Sequence, residues 1–242
     1  MPPSPLLIGL DGDDTLWHSE RHFALTEDAV VELLSPWVAD DDLRATLLAT
    51  ERRNLRLFGY GVKGFTLSVI ETAIEVSDGR VSARDIQRII ALGKELLSHP
   101  IELLDGVADT LAALRDRGRL VIVTKGDLFH QEAKVAASGL AGQVDDVEIV
   151  AEKDVATYRR IVTRHGTHPD RFVMVGNSVR SDVLPVLELG ARAVHVAYPL
   201  LWAHEDAPLP DAPDRVVGAT SLRELTTVLR RWGLLDEGGD AG

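Results

Sequence analysis

The sequence contains no cysteine among its 242 residues. This absence excludes a disulfide framework, a thiolate zinc site and a cysteine nucleophile. Positive charge is also scarce, since 26 lysine and arginine residues are outnumbered by 38 acidic residues, and the formal net charge is −12 at pH 7. Proteins that bind the phosphate backbone of nucleic acids usually gather lysine and arginine on one face. We therefore expect no nucleic-acid partner.

Long hydrophobic runs are missing as well. No stretch of about 18 apolar residues is present to span a bilayer, and the start MPPSPLLIGLDGDD lacks the basic and apolar regions of a signal peptide. We expect no membrane partner and a cytoplasmic location. With 45% hydrophobic and 26% charged residues, the composition fits an ordinary globular protein of one domain, or of a core domain that carries an insertion.

Short apolar runs with the character of strands recur along the chain. They are Leu6–Leu10, Arg119–Thr124, Val147–Val150, Phe172–Gly176 and Arg192–Val196. Helical patterns separate the later runs, and several of these patterns end on a glycine. Nearly continuous apolar strands that alternate with helices predict an α/β fold, a Rossmann-like parallel sheet with helices on both faces.

The first predicted strand is followed by helical patterns alone. The segments with helical periodicity are His18–Trp37, Asp41–Phe58, Gly64–Val76 and Ser82–Ser98. This span is too long for one crossover connection, so we predict an inserted helical cap domain at 17–100 and an α/β core at 1–16 and 101–242. The tail LLDEGGDAG is expected to fray.

Polar residues follow the predicted strands at the point where each strand ends. They are Asp11, Asp13 and Thr15 after the first strand, Thr124, Lys125 and Gly126 after the second, Lys153 after the third, and Gly176, Asn177, Ser178 and Asp182 after the fourth. In an open parallel sheet, ligands bind outside the carboxyl ends of the strands. Carboxylates, a hydroxyl and an ammonium are therefore predicted to meet at one edge of the sheet.

These residues lie in sequence motifs that resemble those of the haloacid dehalogenase-like (HAD) superfamily of hydrolases, in its subfamily with a type-1 helical cap. LDGDDTL resembles the first motif, VIVTKG the second, AEKDVATYRRIV the third and GNSVRSD the fourth. The four motifs occur in the order of the family and cover nearly the whole chain. The helical insertion also lies where that family has its cap.

The resemblance implies a Mg²⁺-dependent phosphomonoester hydrolase. Its substrate would be a small cytosolic phosphate ester of the sugar phosphate, phosphoglycolate or nucleotide type. In the family pattern Asp11 attacks phosphorus and forms an aspartyl phosphate, which divides one difficult displacement into two easier steps. Asp13 serves first as the acid for the leaving oxygen and then as the base for the attacking water. Lys153 offsets the charge that develops during the transfer.

The resemblance also implies a set of metal ligands. A phosphate packed against carboxylates requires a hard cation among them, and the expected ligands are Asp11, the backbone carbonyl of Asp13, and Asp182. Asn177 stands where the family frequently has an aspartate. We expect it to be an auxiliary ligand or to orient a metal-bound water.

Substrate binding is assigned to the end of the second strand and to one residue of the insertion. Thr124, Lys125 and Gly126 are expected to hold the phosphoryl oxygens. Lys63, in the glycine-rich turn of RRNLRLFGYGVKGFTL, is the first candidate for gripping an anionic substrate group. The alternative is that this segment combines a solvated helix face with a helix-breaking loop.

Each motif taken alone also has a purely structural interpretation. DGDDT is typical of a turn or a helix N-cap. Asp14 is assigned to such a turn, because aspartate tolerates unusual backbone angles, and Trp17 is assigned to packing at the hinge of the insertion. Only the joint order of the motifs favours catalysis by Asp11 and Asp13.

Other functions on the same fold remain open. A dehalogenase keeps the nucleophile but lacks the second carboxylate of the first motif, so the presence of Asp13 speaks against it. A phosphomutase retains Asp13 and is not excluded by the sequence. A noncatalytic phosphate-binding protein is expected to have lost Asp11 or Asp13, and both are present. The oligomeric state is left open.

Overall fold

The computed structural model describes residues 4–236, so the end of the tail that is expected to fray lies outside the described residues. Within them, six parallel strands form one sheet in the order β3-β2-β1-β4-β5-β6. The strands are β1 (Leu7–Leu10), β2 (Arg119–Lys125), β3 (Asp146–Val150), β4 (Phe172–Gly176), β5 (Arg192–Val196) and β6 (Val216–Ala219). The predicted parallel sheet is confirmed, and β6 is an additional strand that the sequence pattern did not indicate.

Helices connect the strands along the chain. They are α1 (Glu20–Leu34), α2 (Asp40–Phe58), α3 (Val62–Val76), α4 (Ala83–Leu97), α5 (Val107–Leu114), α6 (Leu128–Ser138), α7 (Val155–Arg164), α8 (Leu184–Glu188) and α9 (Leu225–Arg231). The helical segments predicted between the first two strands are present as α1–α4, with ends that differ by a few residues. Across residues 4–236, no helix combines the length and the apolar character that a membrane crossing requires.

The central strand β1 is buried on both faces, which explains its uninterrupted apolar sequence. Leu7 packs into one apolar layer, whereas Ile8 and Leu10 pack into the other, as the alternation of side chains along a strand requires. Helices α5 and α9 contribute to the layer around Ile8, and helices α7 and α8 contribute to the layer around Leu7. Polar side chains can therefore be accommodated only where the strand ends.

The described chain divides into two compact units. The α/β unit contains the chain up to His18, Ile101–Lys125 and the chain from Glu132 onward, and the helical unit contains Ser19–Pro100 and Gly126–Gln131. The α/β unit therefore holds the whole sheet. Helices α1–α4 of the helical unit share an apolar core of their own. The short segment at the start of α6, which the sequence analysis placed in the core, groups with the helical unit.

Candidate active site

The carboxylate of Asp11 lies where β1 leaves the apolar core. Its backbone N–H donates to the carbonyl of Val175 in β4 at 2.8 Å, so strand pairing extends to this residue. The residue is only 7% exposed. Burial raises the pKa of Asp11 to about 7, and Asp182 adds to this rise, although Lys153 acts to lower it. The neighbouring ammonium of Lys153 thus acts against the effect of burial on this carboxylate.

Lys153, in the third motif, contacts aspartates of the first and the fourth motifs. Its Nζ donates to Oδ1 of Asp11 at 2.5 Å and to Oδ1 of Asp182 at 2.7 Å. The three side chains are 2%, 10% and 0% exposed, respectively. Burial disfavours the ammonium, but the two carboxylates outweigh this effect and raise the pKa of Lys153. Three residues that the sequence analysis took from separate motifs thus form one buried ion cluster.

Asp182 reaches this cluster from a π-helical turn, Val179–Val183, that follows β4. Its Oδ2 accepts a hydrogen bond from the backbone N–H of Ser178 at 3.1 Å. A Cβ atom on Gly176 would lie 2.2 Å from the same oxygen, so a side chain at this position would displace the carboxylate. The glycine at the end of β4 is therefore required by the close approach of Asp182.

The side-chain amide of Asn177 lies against two oxygens of the first motif. One terminal atom of this amide, oxygen or nitrogen according to the orientation of the group, lies 3.1 Å from Oδ2 of Asp11 and 3.2 Å from the backbone oxygen of Asp13. With the nitrogen in this position, the amide donates to both oxygens. With the oxygen in this position, three oxygens converge, and the hydroxyl of Thr15 donates weakly to Oδ1 of Asn177 at 3.5 Å and to Oδ2 of Asp11 at 3.4 Å. Three converging oxygens are a donor set that suits a hard metal cation.

The side chain of Asp13 is oriented by two donors. The indole Nε1 of Trp17 donates to Oδ1 at 2.6 Å, and Nζ of Lys134 in α6 donates to the same oxygen at 2.7 Å. Lys134 is only 8% exposed. Trp17 therefore has a polar contact beyond its predicted role in packing. Lys134 is not predictable from the sequence, because no spacing pattern connects it to Asp13, 121 positions away. The adjacent Asp14 has a φ of +61°, in line with its predicted place in a turn.

Thr124 of β2 borders the loop of the first motif. It is 1% exposed. A Cβ atom on Gly12 would lie 3.2 Å from Oγ1 of Thr124 and 2.7 Å from a ring carbon of Trp17. The absence of a side chain at residue 12 therefore allows the loop between Asp11 and Asp13 to approach the end of β2.

Lys125, the last residue of β2, is held by a carboxylate that the sequence analysis missed. Its Nζ lies 2.5 Å from Oε1 of Glu205 and donates to Oγ of Ser181 at 2.8 Å. The other oxygen of Glu205 accepts from the hydroxyls of Ser181, at 2.6 Å, and of Ser178. Burial acts to raise the pKa of Glu205, but Lys125 and the hydroxyls outweigh it and lower the pKa to about 2. Glu205 thus links the end of β2 to the turn that carries Asp182.

Lys63 and Gly126 belong to the helical unit. The Nζ of Lys63 donates to the two carboxylate oxygens of Asp127 at 3.0 Å and 2.9 Å, and its side chain is 55% exposed. This hydrogen bond is the main reason why the pKa of Asp127 is lowered. Gly126 has a φ of +146°, in a region that favours glycine. Lys63 thus already pairs with a carboxylate, that of Asp127. Its contact with a substrate stays a prediction.

Comparison with known proteins identifies the family. The family model described as haloacid dehalogenase-like hydrolase matches residues 6–190, which is more than half of the chain. The chain belongs to this family. The matched HAD-like region begins just before β1 and includes the ion cluster of Asp11, Lys153 and Asp182.

Relatives of this HAD-like hydrolase include named phosphatases. Mouse N-acylneuraminate-9-phosphatase is 26% identical over 168 residues, which are 66% of this chain and 65% of that protein. Glyceraldehyde 3-phosphate phosphatase from Methanothermobacter thermautotrophicus is 31% identical over 103 residues, which are 40% of this chain and 46% of that protein. The chain therefore spans less than two thirds of the length of these two relatives.

A solved structure matches over a larger share of the chain. The haloacid dehalogenase-like family hydrolase from Xanthomonas campestris is 42% identical, with a TM-score of 0.85. The match covers 96% of this chain and 93% of that one. The similarity of this HAD-like hydrolase to an experimental structure of the family thus extends over nearly the whole chain.

Proposed function

We propose that this HAD-like hydrolase is a phosphatase that cleaves small cytosolic phosphomonoesters through an aspartyl phosphate on Asp11, with Mg²⁺ as its cofactor. The observation that carries the proposal is the buried carboxylate of Asp11, which is held by Lys153 and has a second carboxylate, Asp13, two residues further on. A nucleophilic carboxylate requires a neighbouring cation, and the two-step reaction requires an acid and base. Lys153, which contacts Asp11, is the cation, and Asp13, two residues further along the chain, is the acid and base.

The names of the curated relatives support this reaction class. Both describe the removal of a phosphate group, from an N-acylneuraminate 9-phosphate in one case and from glyceraldehyde 3-phosphate in the other. Both of these compounds are phosphorylated sugars or sugar acids. We infer that a sugar phosphate is the first substrate class to test, before phosphoglycolate and nucleotides.

The donor set around Asp11 fits a hard divalent cation. Carboxylate oxygens of Asp11 and Asp182 and the backbone oxygen of Asp13 are ligands that Mg²⁺ prefers, and the amide oxygen of Asn177 adds a neutral one. The separations of 3.1 Å and 3.2 Å at Asn177 are close to the spacing of about 3 Å between adjacent ligands in an octahedron. When bound, Mg²⁺ would neutralise these carboxylates toward phosphate and stabilise charge on the phosphoryl oxygens.

Nucleophilic attack, charge stabilisation and proton transfer are assigned to side chains of the protein. Asp11 attacks phosphorus as the leaving oxygen departs, and Lys153 offsets the negative charge that develops on the phosphoryl group. Asp13 donates a proton to the leaving oxygen and later removes one from the water that hydrolyses the aspartyl phosphate. Lys134 and Trp17 hold one oxygen of Asp13 in a defined position during both steps.

Phosphoryl binding is assigned to the end of β2. The hydroxyl of Thr124 and the backbone amides of Lys125 and Gly126 would donate to the phosphoryl oxygens. Glu205 holds the side chain of Lys125 in place through a contact of 2.5 Å. Lys63 stays our candidate for an anionic group elsewhere on the substrate, and such a group would compete with Asp127 for its ammonium.

The test compares wild type with Asp11→Asn on p-nitrophenyl phosphate, with Mg²⁺ and with EDTA. We expect metal-dependent turnover that falls by roughly 10⁴-fold or more in the variant, because the nucleophile is lost. Asp14→Asn is the matched control, since it changes the neighbouring carboxylate in the same way at a turn position that asparagine tolerates. Equal turnover in Asp11→Asn, or turnover that survives EDTA, would contradict the proposal. Chloride release from 2-chloropropionate would instead indicate a dehalogenase.

A second comparison tests the metal ligands. Asp182→Ala is expected to abolish Mg²⁺-dependent turnover, because it removes a charged ligand that is 0% exposed. Asn177→Ala is expected to weaken the apparent affinity for Mg²⁺ by about tenfold while activity persists at high Mg²⁺. The reverse result would make Asn177 the essential ligand and Asp182 the auxiliary one.

A further inference from the structure

Three potential metal ligands lie together at the edge strand β3, away from the strand ends that carry Asp11. Asp146 and Glu148 occupy alternate positions of β3, so their side chains project from the same face. His165 directly follows the last residue of α7. One ligand atom of each residue lies within 4.8 Å of the other two.

Two of these residues carry buried atoms that lack hydrogen bonds. Within the part of the chain that the structure describes, neither Nε2 of His165 nor Oε1 of Glu148 has a hydrogen-bond partner, although Oε1 lies 3.1 Å from Nη1 of Arg164 in an ion pair. His165 is 5% exposed and Glu148 is 7% exposed. The Nε2 atom lies 3.4 Å from Oε1 of Glu148 and 3.8 Å from Oδ2 of Asp146. Buried polar atoms are rarely left unsatisfied, and a cation bound by the three residues would satisfy both Nε2 of His165 and Oε1 of Glu148.

We propose that Asp146, Glu148 and His165 bind a divalent transition-metal ion of the Zn²⁺ class. One imidazole nitrogen with two carboxylate oxygens is a ligand set that suits Zn²⁺ better than Mg²⁺, which prefers oxygen ligands alone. With bonds of about 2.1 Å, neighbouring ligands of a tetrahedral ion lie about 3.4 Å apart. The observed distances of 3.4 Å and 3.8 Å at Nε2 are near this value. The carboxyl end of α7 also favours a positive charge.

Arg164 is the group with which the ion would compete. Its Nη1 lies 3.1 Å from Oε1 of Glu148, and its Nη2 lies 3.9 Å from Oδ2 of Asp146. The side chain of Arg164 is 62% exposed, whereas that of Glu148 is 8% exposed, so the arginine itself is free to move into solvent. A divalent ion held by three ligands would displace it into solvent. The opposing interpretation is a cluster in which Arg164 and His165 hold the two carboxylates without metal.

The position of the proposed metal site in the fold predicts how a bound ion would affect the stability of the protein. Strand β3 ends at Val150 and α7 begins at Val155, so the two elements flank the loop that carries Lys153. An ion bound to Asp146, Glu148 and His165 would join the start of β3 to the end of α7. It would therefore stabilise the folded state, by an amount that grows with the logarithm of the free Zn²⁺ concentration once that concentration exceeds the dissociation constant. We expect Zn²⁺ bound here to raise the melting temperature, with no requirement for it in turnover.

Equilibrium dialysis with Zn²⁺, read by elemental analysis, tests the proposal on the full chain. Asp182→Ala is expected to lose only the Zn²⁺ that binds near Asp11. His165→Asn and Asp146→Asn are expected to lose a different equivalent, with affinity weakened by at least about tenfold. Asp146 is 34% exposed on its side chain, so this variant serves if His165→Asn does not fold. Failure of the phosphatase proposal would leave these results unchanged.

Arg164→Gln and His168→Asn make the test specific. Because removal of Arg164 removes the competing charge, Arg164→Gln is expected to bind Zn²⁺ several-fold more tightly than wild type. His168 also contacts a carboxylate, 2.7 Å from Oδ1 of Asp170, but is 73% exposed, and its variant is expected to bind Zn²⁺ as wild type does. Equal Zn²⁺ binding in wild type, His165→Asn and Asp146→Asn would overturn the proposal. So would weaker binding in Arg164→Gln, since removal of a charge that competes with the ion cannot weaken binding of the ion at this site.

Discussion

The α/β unit and the helical unit each contain a lysine held by carboxylates, but in opposite surroundings. Lys153 is 2% exposed and contacts Asp11 and Asp182, which are 10% and 0% exposed. Lys63 is 55% exposed and contacts Asp127, which is 26% exposed. Loss of one partner from a buried ion pair leaves a charge without compensation, whereas an exposed pair contributes little. The same type of contact is therefore expected to be essential in one unit and nearly neutral in the other.

Replacement of Lys153 by methionine is expected to have the largest effect. Methionine keeps an unbranched side chain but leaves Asp11 and Asp182 buried without their shared cation. Turnover is expected to fall by roughly 10³-fold. The free energy of unfolding is expected to fall by about 3 kcal/mol, because removal of one partner from a buried ion pair leaves the others without compensation. Urea unfolding and p-nitrophenyl phosphate kinetics measure the two effects, and an unchanged unfolding midpoint would show that the cluster is not energetically coupled.

The close approach at Gly176 provides the next test. A Cβ atom there would lie 2.2 Å from Oδ2 of Asp182, so Gly176→Ala forces the carboxylate out of position. We expect Mg²⁺-dependent turnover to fall by at least about 100-fold. Gly142→Ala is the matched control, since a Cβ atom at Gly142 would meet no atom within 4 Å. Comparable loss in both variants would mean that the effect is not specific to the site.

Glu205 allows the buried network to be tested by pH. Its folded-state pKa is lowered from 4.5 to about 2, chiefly because the attraction of Lys125 overcomes burial. A lowered carboxyl pKa stabilises the fold above 4.5 and loses this contribution as the pH falls toward 2. Glu205→Gln is therefore expected to be less stable than wild type at pH 7, with a difference that shrinks below pH 4.5. Urea unfolding at both ends of this range checks the sign, and a difference that is constant with pH would refute it.

Lys63→Met is expected to have the smallest effect and completes the comparison. The ion pair with Asp127 is exposed, so the free energy of unfolding should change by less than about 1 kcal/mol. If Lys63 contacts an anionic substrate group, the variant raises KM for such substrates and leaves kcat for p-nitrophenyl phosphate unchanged. A loss of stability as large as that of Lys153→Met would show that exposure does not explain the difference between the two lysines.

Much of the α/β unit was predictable because its local signals agree with its fold. Strands buried on both faces must be apolar throughout, so β1, β2 and β4 are visible as uninterrupted runs. Strand β6 was missed because it is a short VVGA segment after a long connection, and its strand character depends on pairing with β5. The helical insertion was predicted from periodicity, but the grouping of the segment at Gly126 with it depends on tertiary contacts.

The residues of the candidate site also fall into two groups, those that the sequence predicts and those whose contacts depend on the tertiary structure. The sequence by itself placed Asp11, Lys153 and Asp182 after predicted parallel strands and hence predicted that they meet, because parallel strands have their carboxyl ends at one edge of the sheet. The contacts of Lys134 with Asp13 and of Glu205 with Lys125 were decided only by the tertiary structure. Each joins residues from distant parts of the chain through the direction of a long side chain. Such directions are set by packing, and no spacing along the sequence encodes them.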